Sequence, residues 1–321
     1  MQFTASRLNV CVLGGTGFVG SELIAQLAAA GHWVRVPTRA LARGKHLTVL
    51  PTVQLVTADI HDPRVLGELF ADIDVVVNLV GILNERRGAR FSGVHVELVA
   101  KIIEEARMAR VRRLLHMSSL GADPERAPSR YLRSKGQGEE RIKAAAQSLD
   151  YTIFRPSVIF GPGDSLTHRF VRLLHLSGGL LPLARARARF APAYIEDVAA
   201  AFVRALRDRA TFAGTLELCG PDVMTLEQIV RASAQAARVS CHIVRLPDVL
   251  ARLEGIVLGL LPGKPFSLDN FRSLTLDSLC RENGFARLGI EPQRFAAIVP
   301  TYLGDLSEPA RLDRLRAGAD R

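Results

Sequence analysis

Leu13-Gly14-Gly15-Thr16-Gly17-Phe18-Val19-Gly20 is the stretch on which the reading of this chain turns. It closes an apolar run, Leu8–Leu13, and opens a run of helical periodicity, Phe18–Ala30, so it stands where a strand becomes a helix. Each glycine has its own task. A tight strand-to-helix turn needs a residue without a Cβ, the close approach of a diphosphate to backbone needs a second, and close packing of helix on strand needs a third. The start of the helix then offers free N–H groups and the positive end of its dipole to phosphate oxygens. Gly14, Thr16, Gly17, Phe18, Val19 and Gly20 are therefore the expected phosphate-binding residues. The plain alternative is a glycine-rich turn without a ligand; the strand before and the helix after favour the ligand.

Working outward, β-rich runs alternate with helical ones. Trp33–Pro37, Val53–Val56, Asp74–Val80, Val111–Met117 and Tyr151–Phe160 read as strands, and Val65–Phe70, Val94–Ala109 and Ser129–Ala146 as helices. Such alternation implies a parallel sheet covered on both faces, and the unbroken Val75-Val76-Val77 fits burial on both sides. The expected fold is α/β: a Rossmann doubly wound parallel sheet with a smaller C-terminal α/β substrate lobe. The alternation stops after Gly161-Pro162-Gly163. Residues 1–160 are expected to form the NAD(P)-binding domain, completed by 191–222. Residues 161–190 and 223–306 would form the smaller lobe and 307–321 a charged tail. Helices are expected at Ile195–Leu206 and, opened by the Thr225/Gln228 capping box, up to about Ala237.

The acidic residue that usually ends the second strand, to hold a ribose 2′-OH, is missing. No Asp or Glu lies between Glu22 and Asp59, where Arg35, Arg39, Arg43 and Lys45 stand instead. Arg39, just past the strand, is suited to pair with a 2′-phosphate, which points to NADP(H) with NAD(H) as the alternative. Without a ligand the same residues would form a solvated basic loop. Asp59 and Ile60 are placed to flank the adenine, and Leu79, Val80 and Gly81 to pass the nicotinamide-side ribose.

Ser118 and Ser119 end the fifth strand, and Tyr131 and Lys135 share one face of the next helix. A phenol is a poor base at neutral pH; a nearby ammonium favours its anion. Lys135 can also hold the ribose, and Ser119 can orient a carbonyl or alcohol. Ser119, Tyr131 and Lys135 thus supply the parts for hydride transfer coupled to proton transfer. An exposed helical Tyr/Lys pair is the plain alternative.

The 321 residues, 48% hydrophobic, suffice for one large core with a smaller one beside it. The net charge of +10 attracts anions, but the basic residues are scattered and no zinc-finger or RNP-type pattern occurs, so no nucleic acid is expected. Cys11, Cys219, Cys241 and Cys280 form no CxxC pair and are expected reduced. No metal-ligand spacing appears, and no run is long enough to span a bilayer. A cytoplasmic protein is expected. Val249–Leu261 is strongly apolar; it reads as a buried lid helix or as a segment lying on a membrane. Arg185, Arg187 and Arg189 would line one face of a strand, as an anion site or as a solvated edge.

The order GGTGFVG (14–20), ADI (58–60), NLVG (78–81), SS (118–119), YLRSK (131–135) and RPSVIFGPGD (155–164) resembles the short-chain dehydrogenase/reductase superfamily in its extended or atypical branch, as does PAYIEDVA (192–199). VGILNE (80–85), SSLGADP (118–124) and LGIEPQRFAAIVPTYL (288–303) are similar to the nucleotide-binding accessory subunit of respiratory complex I and its bacterial relatives. The resemblance implies an NAD-dependent epimerase/dehydratase-like protein in which Tyr131 is the acid/base, Lys135 its partner and Ser119 the polarising hydroxyl. It implies that Arg155, Pro156, Ser157 and Val158 line the nicotinamide carboxamide. The family's active-site Asn is not evident; His95 stands near its place. The complex I likeness implies an alternative role, in which NADPH is held without turnover in a respiratory or peripheral inner-membrane assembly. The substrate is not legible.

Overall fold

The computed structural model describes residues 7–86, 88–252, 255 and 266–304. They divide into two compact units. The first comprises the chain to Pro156 with Glu196–Leu218 and Glu282–Ile290; the second comprises Ser157–Ile195, Cys219–Arg281 and residues from Glu291 on.

The first unit is built on seven strands: β1 (Asn9–Leu13), β2 (Trp33–Thr38), β3 (Val53–Thr57), β4 (Val75–Asn78), β5 (Arg113–Met117), β6 (Asp150–Pro156) and β11 (Gly214–Leu218). Their order is β11-β6-β5-β4-β1-β2-β3, every pair parallel. This is a Rossmann doubly wound sheet, and strand order reverses between β1 and β4. Ligands of such sheets bind at that reversal, beyond the carboxyl ends of the strands.

Alternation along the strands feeds two cores. Cys11, Leu13, Val76 and Ile153 pack with Leu66, Phe70, Ile102 and Ile142 of α2 (Pro63–Phe70), α3 (Leu98–Met108) and α4 (Arg130–Ala144). On the other side, α1 (Phe18–Ala29) buries Leu23, Ile24 and Leu27, and Phe154 meets Phe202 of α6 (Ile195–Ala205) with ring centroids 4.0 Å apart. Capping sets the helix starts. Asp62 accepts from the Arg64 N–H with Pro63 in the first turn, and Ser129 accepts from the Leu132 N–H. The short helix Gly284–Arg287 belongs to this unit although the sequence places 223–306 in the smaller lobe. A Cβ on Gly284 would stand 2.9 Å from the Leu216 side chain, so β11 and this helix touch closely.

In the second unit, β7 (Ile159–Phe160) pairs with β10 (Ala193–Tyr194), β9 (Arg189–Phe190) with β12 (Met224–Thr225), and β8 (Leu180–Ala184) with β13 (His242–Leu246). Helices α5 (Ser165–Leu176) and α7 (Leu226–Ala236) close a small core around Leu174, Leu181, Val230 and Ala234. The strand expected at Tyr151–Phe160 is broken at Ser157-Val158, and the Arg185/Arg187/Arg189 alternation does not lie on one strand. β8 ends at Ala184, Arg185 turns with φ 49° and pairs with Asp248, and Arg189 pairs with Asp277. The expectation of four reduced cysteines is corrected: Cys219 and Cys280, 61 residues apart, form a disulfide, while Cys11 and Cys241 are free. Val249 and Leu250 are exposed and Ala251 is buried; most of the apolar segment 249–261 and the tail 307–321 lie outside the described residues. Among the described residues no helix is long and apolar enough to cross a membrane.

Candidate functional site

The glycine loop sits at the strand-order reversal. Gly14 has φ +80°, and a Cβ on it would stand 3.1 Å from the Leu79 carbonyl carbon, because the segments after β1 and β4 nearly touch there. The Gly17 N–H closes the turn onto the Gly14 carbonyl at 3.0 Å. A Cβ on Gly20 would lie 2.5 Å from the Gly14 oxygen, so α1 approaches its own loop as only glycine permits. Gly17 differs. It is exposed, and only the Gly14 oxygen, at 3.2 Å, would face its Cβ. α1 carries no side-chain cap and no acidic residue in its first turn, so its amide end is open to an anion. Phe18 and Val19 are half-buried in that turn and Thr16 lies beside it.

Past β2, the 3₁₀ turn Leu41–Leu47 folds back on this loop. A Cβ on Gly44 would stand 3.1 Å from the Thr16 methyl, and His46 hydrogen-bonds Ser21 at 3.0 Å. Arg39, Arg43 and Lys45 are exposed around this turn. Arg35 is otherwise employed: its guanidinium donates to the Leu69 and Ala71 carbonyls. Asp59 caps the turn before α2 by accepting the His61 N–H, and Ile60 packs on the core.

Beyond β5 the Tyr131 phenol hydrogen-bonds Ser119, and Lys135 stands one turn further along α4. Burial pushes the half-buried Tyr131 phenol above its ordinary value, and its hydrogen bond with Ser119 pulls it back. The Lys135 ammonium, buried, donates to the Met117 carbonyl at 2.9 Å. Desolvation brings it down to about 8, opposed by Glu139. The expected lowering of the phenol by Lys135 is thus not what governs Tyr131: desolvation dominates, because a buried phenolate loses its hydration. A Cβ on Gly81 would come 3.3 Å from the Lys135 nitrogen, so the segment Leu79-Val80-Gly81 runs against this cluster.

Three supporting arrangements join residues that no single motif pairs. Asn78, buried at the end of β4, accepts the Val80 N–H and bonds His116. His95 lies in a π-helical turn, Gly93–Glu97, with its ring edge-on to Tyr131 at 5.6 Å between centroids. Glu139, fully buried, accepts from Ser118 and from Arg155. Pro156 closes β6. Ser157 and Val158 are in the second unit, where the Ser157 hydroxyl donates to the Ser278 carbonyl at 2.8 Å and the Val158 carbonyl accepts from Ala193.

Residues 10–219 match the model of the NAD dependent epimerase/dehydratase family. The chain belongs to that family. It is 30% identical over 317 residues, 94% of this chain and 78% of the relative, to NADH dehydrogenase (ubiquinone) 1 alpha subcomplex subunit 9, mitochondrial, of Arabidopsis thaliana. It is 33% identical over 245 residues, 76% of this chain and 75% of the relative, to a ceramide reductase of Caulobacter vibrioides. A crystal structure of a UDP-galactose 4-epimerase superposes with a TM-score of 0.72 at 19% identity, over 93% of this chain and 98% of the other; this likeness is one of fold. Extended short-chain dehydrogenase/reductase architecture and complex I subunit relatives therefore both agree with the residues quoted at the outset.

Proposed function

We propose that the chain binds NADP(H) on the glycine loop and reduces a carbonyl carbon, with Tyr131 as the proton donor. The observation that carries this reading is the Ser119–Tyr131–Lys135 cluster at the carboxyl edge of the same sheet whose reversal point holds the loop. The loop fits a diphosphate: Gly17 leaves its face open and the α1 amides are uncapped. Arg39, with Arg43 and Lys45 behind it, would pair with a 2′-phosphate where an acid would disfavour one. Asp59 and Ile60 would flank the adenine, Leu79, Val80 and Gly81 the ribose, and Pro156 the carboxamide. The nicotinamide, when bound, would supply the hydride.

The residues supply the rest. A phenol raised above its ordinary value is protonated at neutral pH, so Tyr131 starts as an acid, which suits carbonyl reduction. Ser119 orients the substrate oxygen, and the Lys135 ammonium offsets the charge left on the phenol after the proton moves. The likeness to a protein named ceramide reductase directs the first substrate panel to ceramide-related lipids bearing a carbonyl group.

Calorimetry with NADPH and NADH tests the cofactor. Tyr131→Phe should leave NADPH affinity within about twofold while turnover falls by roughly 10²–10⁴. Turnover that survives this change removes Tyr131 from its role. A second reading has its own support, since the match to the Arabidopsis complex I subunit spans 94% of this chain. Here NADPH is held without turnover at an inner-membrane respiratory assembly, whereas the reductase would work in the cytoplasm. Co-migration with a membrane NADH dehydrogenase, together with no NADPH consumption on the lipid panel, would select the second reading.

A further inference from the structure

His95 belongs to neither motif, yet both of its ring nitrogens are engaged. The ring is buried at 2% exposure. Ser134 gives its single hydroxyl proton to the Tyr131 carbonyl at 2.7 Å. Its 2.8 Å contact with His95 Nδ1 therefore requires that Nδ1 be the donor. The Ile82 N–H, at 3.1 Å from Nε2, requires that Nε2 be an acceptor. One neutral tautomer satisfies both. The π-helical turn Gly93–Glu97 turns the ring inward, and Gly138 on α4 has no Cβ to strike the His95 carbonyl.

We propose that His95 is a positioning residue, a strut that fixes the Gly81-Ile82 backbone against the Tyr131 turn of α4, and that its ring stays neutral, with its one proton held on Nδ1 and none relayed through it. This deepens the cofactor reading and rests on it. The strut spans the two segments that meet at Lys135: a Cβ on Gly81 would stand 3.3 Å from the Lys135 nitrogen and 3.6 Å from His95 Nε2. A proton on Nε2 would face the Ile82 N–H directly. The charged and titratable groups that face the ring, Lys135, His116 and the Tyr131 phenol, offer no anion to support an imidazolium.

Two substitutions separate the ends of the strut. Asn reproduces the position of Nδ1, so His95→Asn keeps Ser134 and leaves the half-buried Ile82 N–H without its His95 partner. Gln reproduces Nε2, so His95→Gln keeps Ile82 and loses Ser134. By calorimetry His95→Asn should bind NADPH roughly tenfold more weakly or worse, and His95→Gln within about threefold of the parent. In the ¹⁵N-histidine spectrum of the unsubstituted protein, one ring should be the neutral Nδ1–H form and stay so from about pH 8 down to about pH 5.

Equal NADPH affinity in parent and both variants, equal losses in both, or a His95 ring that titrates in that range would each overturn the proposal. A parent that binds neither NADPH nor NADH overturns the cofactor reading instead. The ¹⁵N spectrum still decides the strut in that case, and it also decides should a variant fail to fold.

Discussion

Arg155 donates to both oxygens of the buried Glu139 carboxylate, through Nε at 2.8 Å and Nη2 at 2.5 Å. Ser118 adds a third hydrogen bond to the same group. The pair joins the end of β6 to the middle of α4, and so holds Ser118 and the Tyr131 helix at the sheet edge. Removing one partner of such a pair leaves a charge without compensation. Glu139→Gln should cost about 3 kcal/mol of unfolding free energy in urea. Glu140→Gln, next along the helix and exposed, should change it by less than about 0.5 kcal/mol. Equal effects would show that Glu139 is not the anchor.

The glycines of the loop should separate by what each would strike. On Gly20 a methyl meets loop backbone that cannot move aside, so Gly20→Ala should destabilise by roughly 2 kcal/mol or more. On Gly17 a methyl faces mostly open space, so Gly17→Ala should melt within a few degrees of the parent. Its methyl would nevertheless occupy the approach of the diphosphate. NADPH affinity should fall at least about tenfold, read by calorimetry on a protein with normal thermal unfolding. Unchanged affinity would move the phosphates away from this loop.

Arg39 tests the choice of cofactor. A charge-assisted contact to a 2′-phosphate contributes about 1.5–3 kcal/mol, or roughly ten- to a hundredfold in affinity. Arg39→Asp should weaken NADPH by that factor and leave NADH unchanged or improved, since an acid there can accept from a 2′-OH. Parallel titrations with the two cofactors give the ratio. A ratio equal to the parent's would assign the 2′ end to Arg43 or Lys45.

Much of this site is legible in the sequence because its chemistry is local. Absence of a Cβ must be written as glycine, and Tyr131 and Lys135 must stand four apart to share a helical face. What escapes such reading are pairings that only the sheet order creates. Glu139 with Arg155, His95 with Ser134 and Cys219 with Cys280 join residues on separate elements, and neither member signals the other. The arginine alternation at 185–189 misleads for the opposite reason. Its period suits a strand, but Arg185 turns left-handed and ends β8 one residue earlier. Likewise the apolar run Tyr151–Phe160 hides the break at Ser157, where hydrogen bonds to Ser278 replace the sheet ladder.

The disulfide predicts a thiol inventory. Unreduced protein in denaturant should show two free thiols, from Cys11 and Cys241, and reduced protein four. In the native state Cys11 should resist alkylation, since burial shields it and pushes its thiol up to about 12. Closing a loop of this length stabilises by about 4 kcal/mol in the chain-entropy picture. Dithiothreitol should lower unfolding free energy by about that amount, and Cys280→Ala should reproduce the loss without reductant. Four free thiols before reduction would exclude the pairing.

The buried histidines predict the response to acid. Burial, with help from Lys135 and His116, depresses His95 from 6.5 to about 2. As pH falls below the unfolded value, the unfolded chain takes up the proton and the folded chain does not. Stability is therefore complete above about pH 6.5 and is lost on acidification, at about 1.4 kcal/mol per pH unit for one such group. His116 is shifted in the same direction by its own burial, so the two slopes add. His95→Gln removes one share: urea unfolding from about pH 6 to about pH 4 should show a slope shallower by about 1.4 kcal/mol per unit than the parent's. Superimposable slopes would mean that the His95 ring accepts its proton in the folded state, and with that the neutral tautomer bridging Ile82 and Ser134 would be lost.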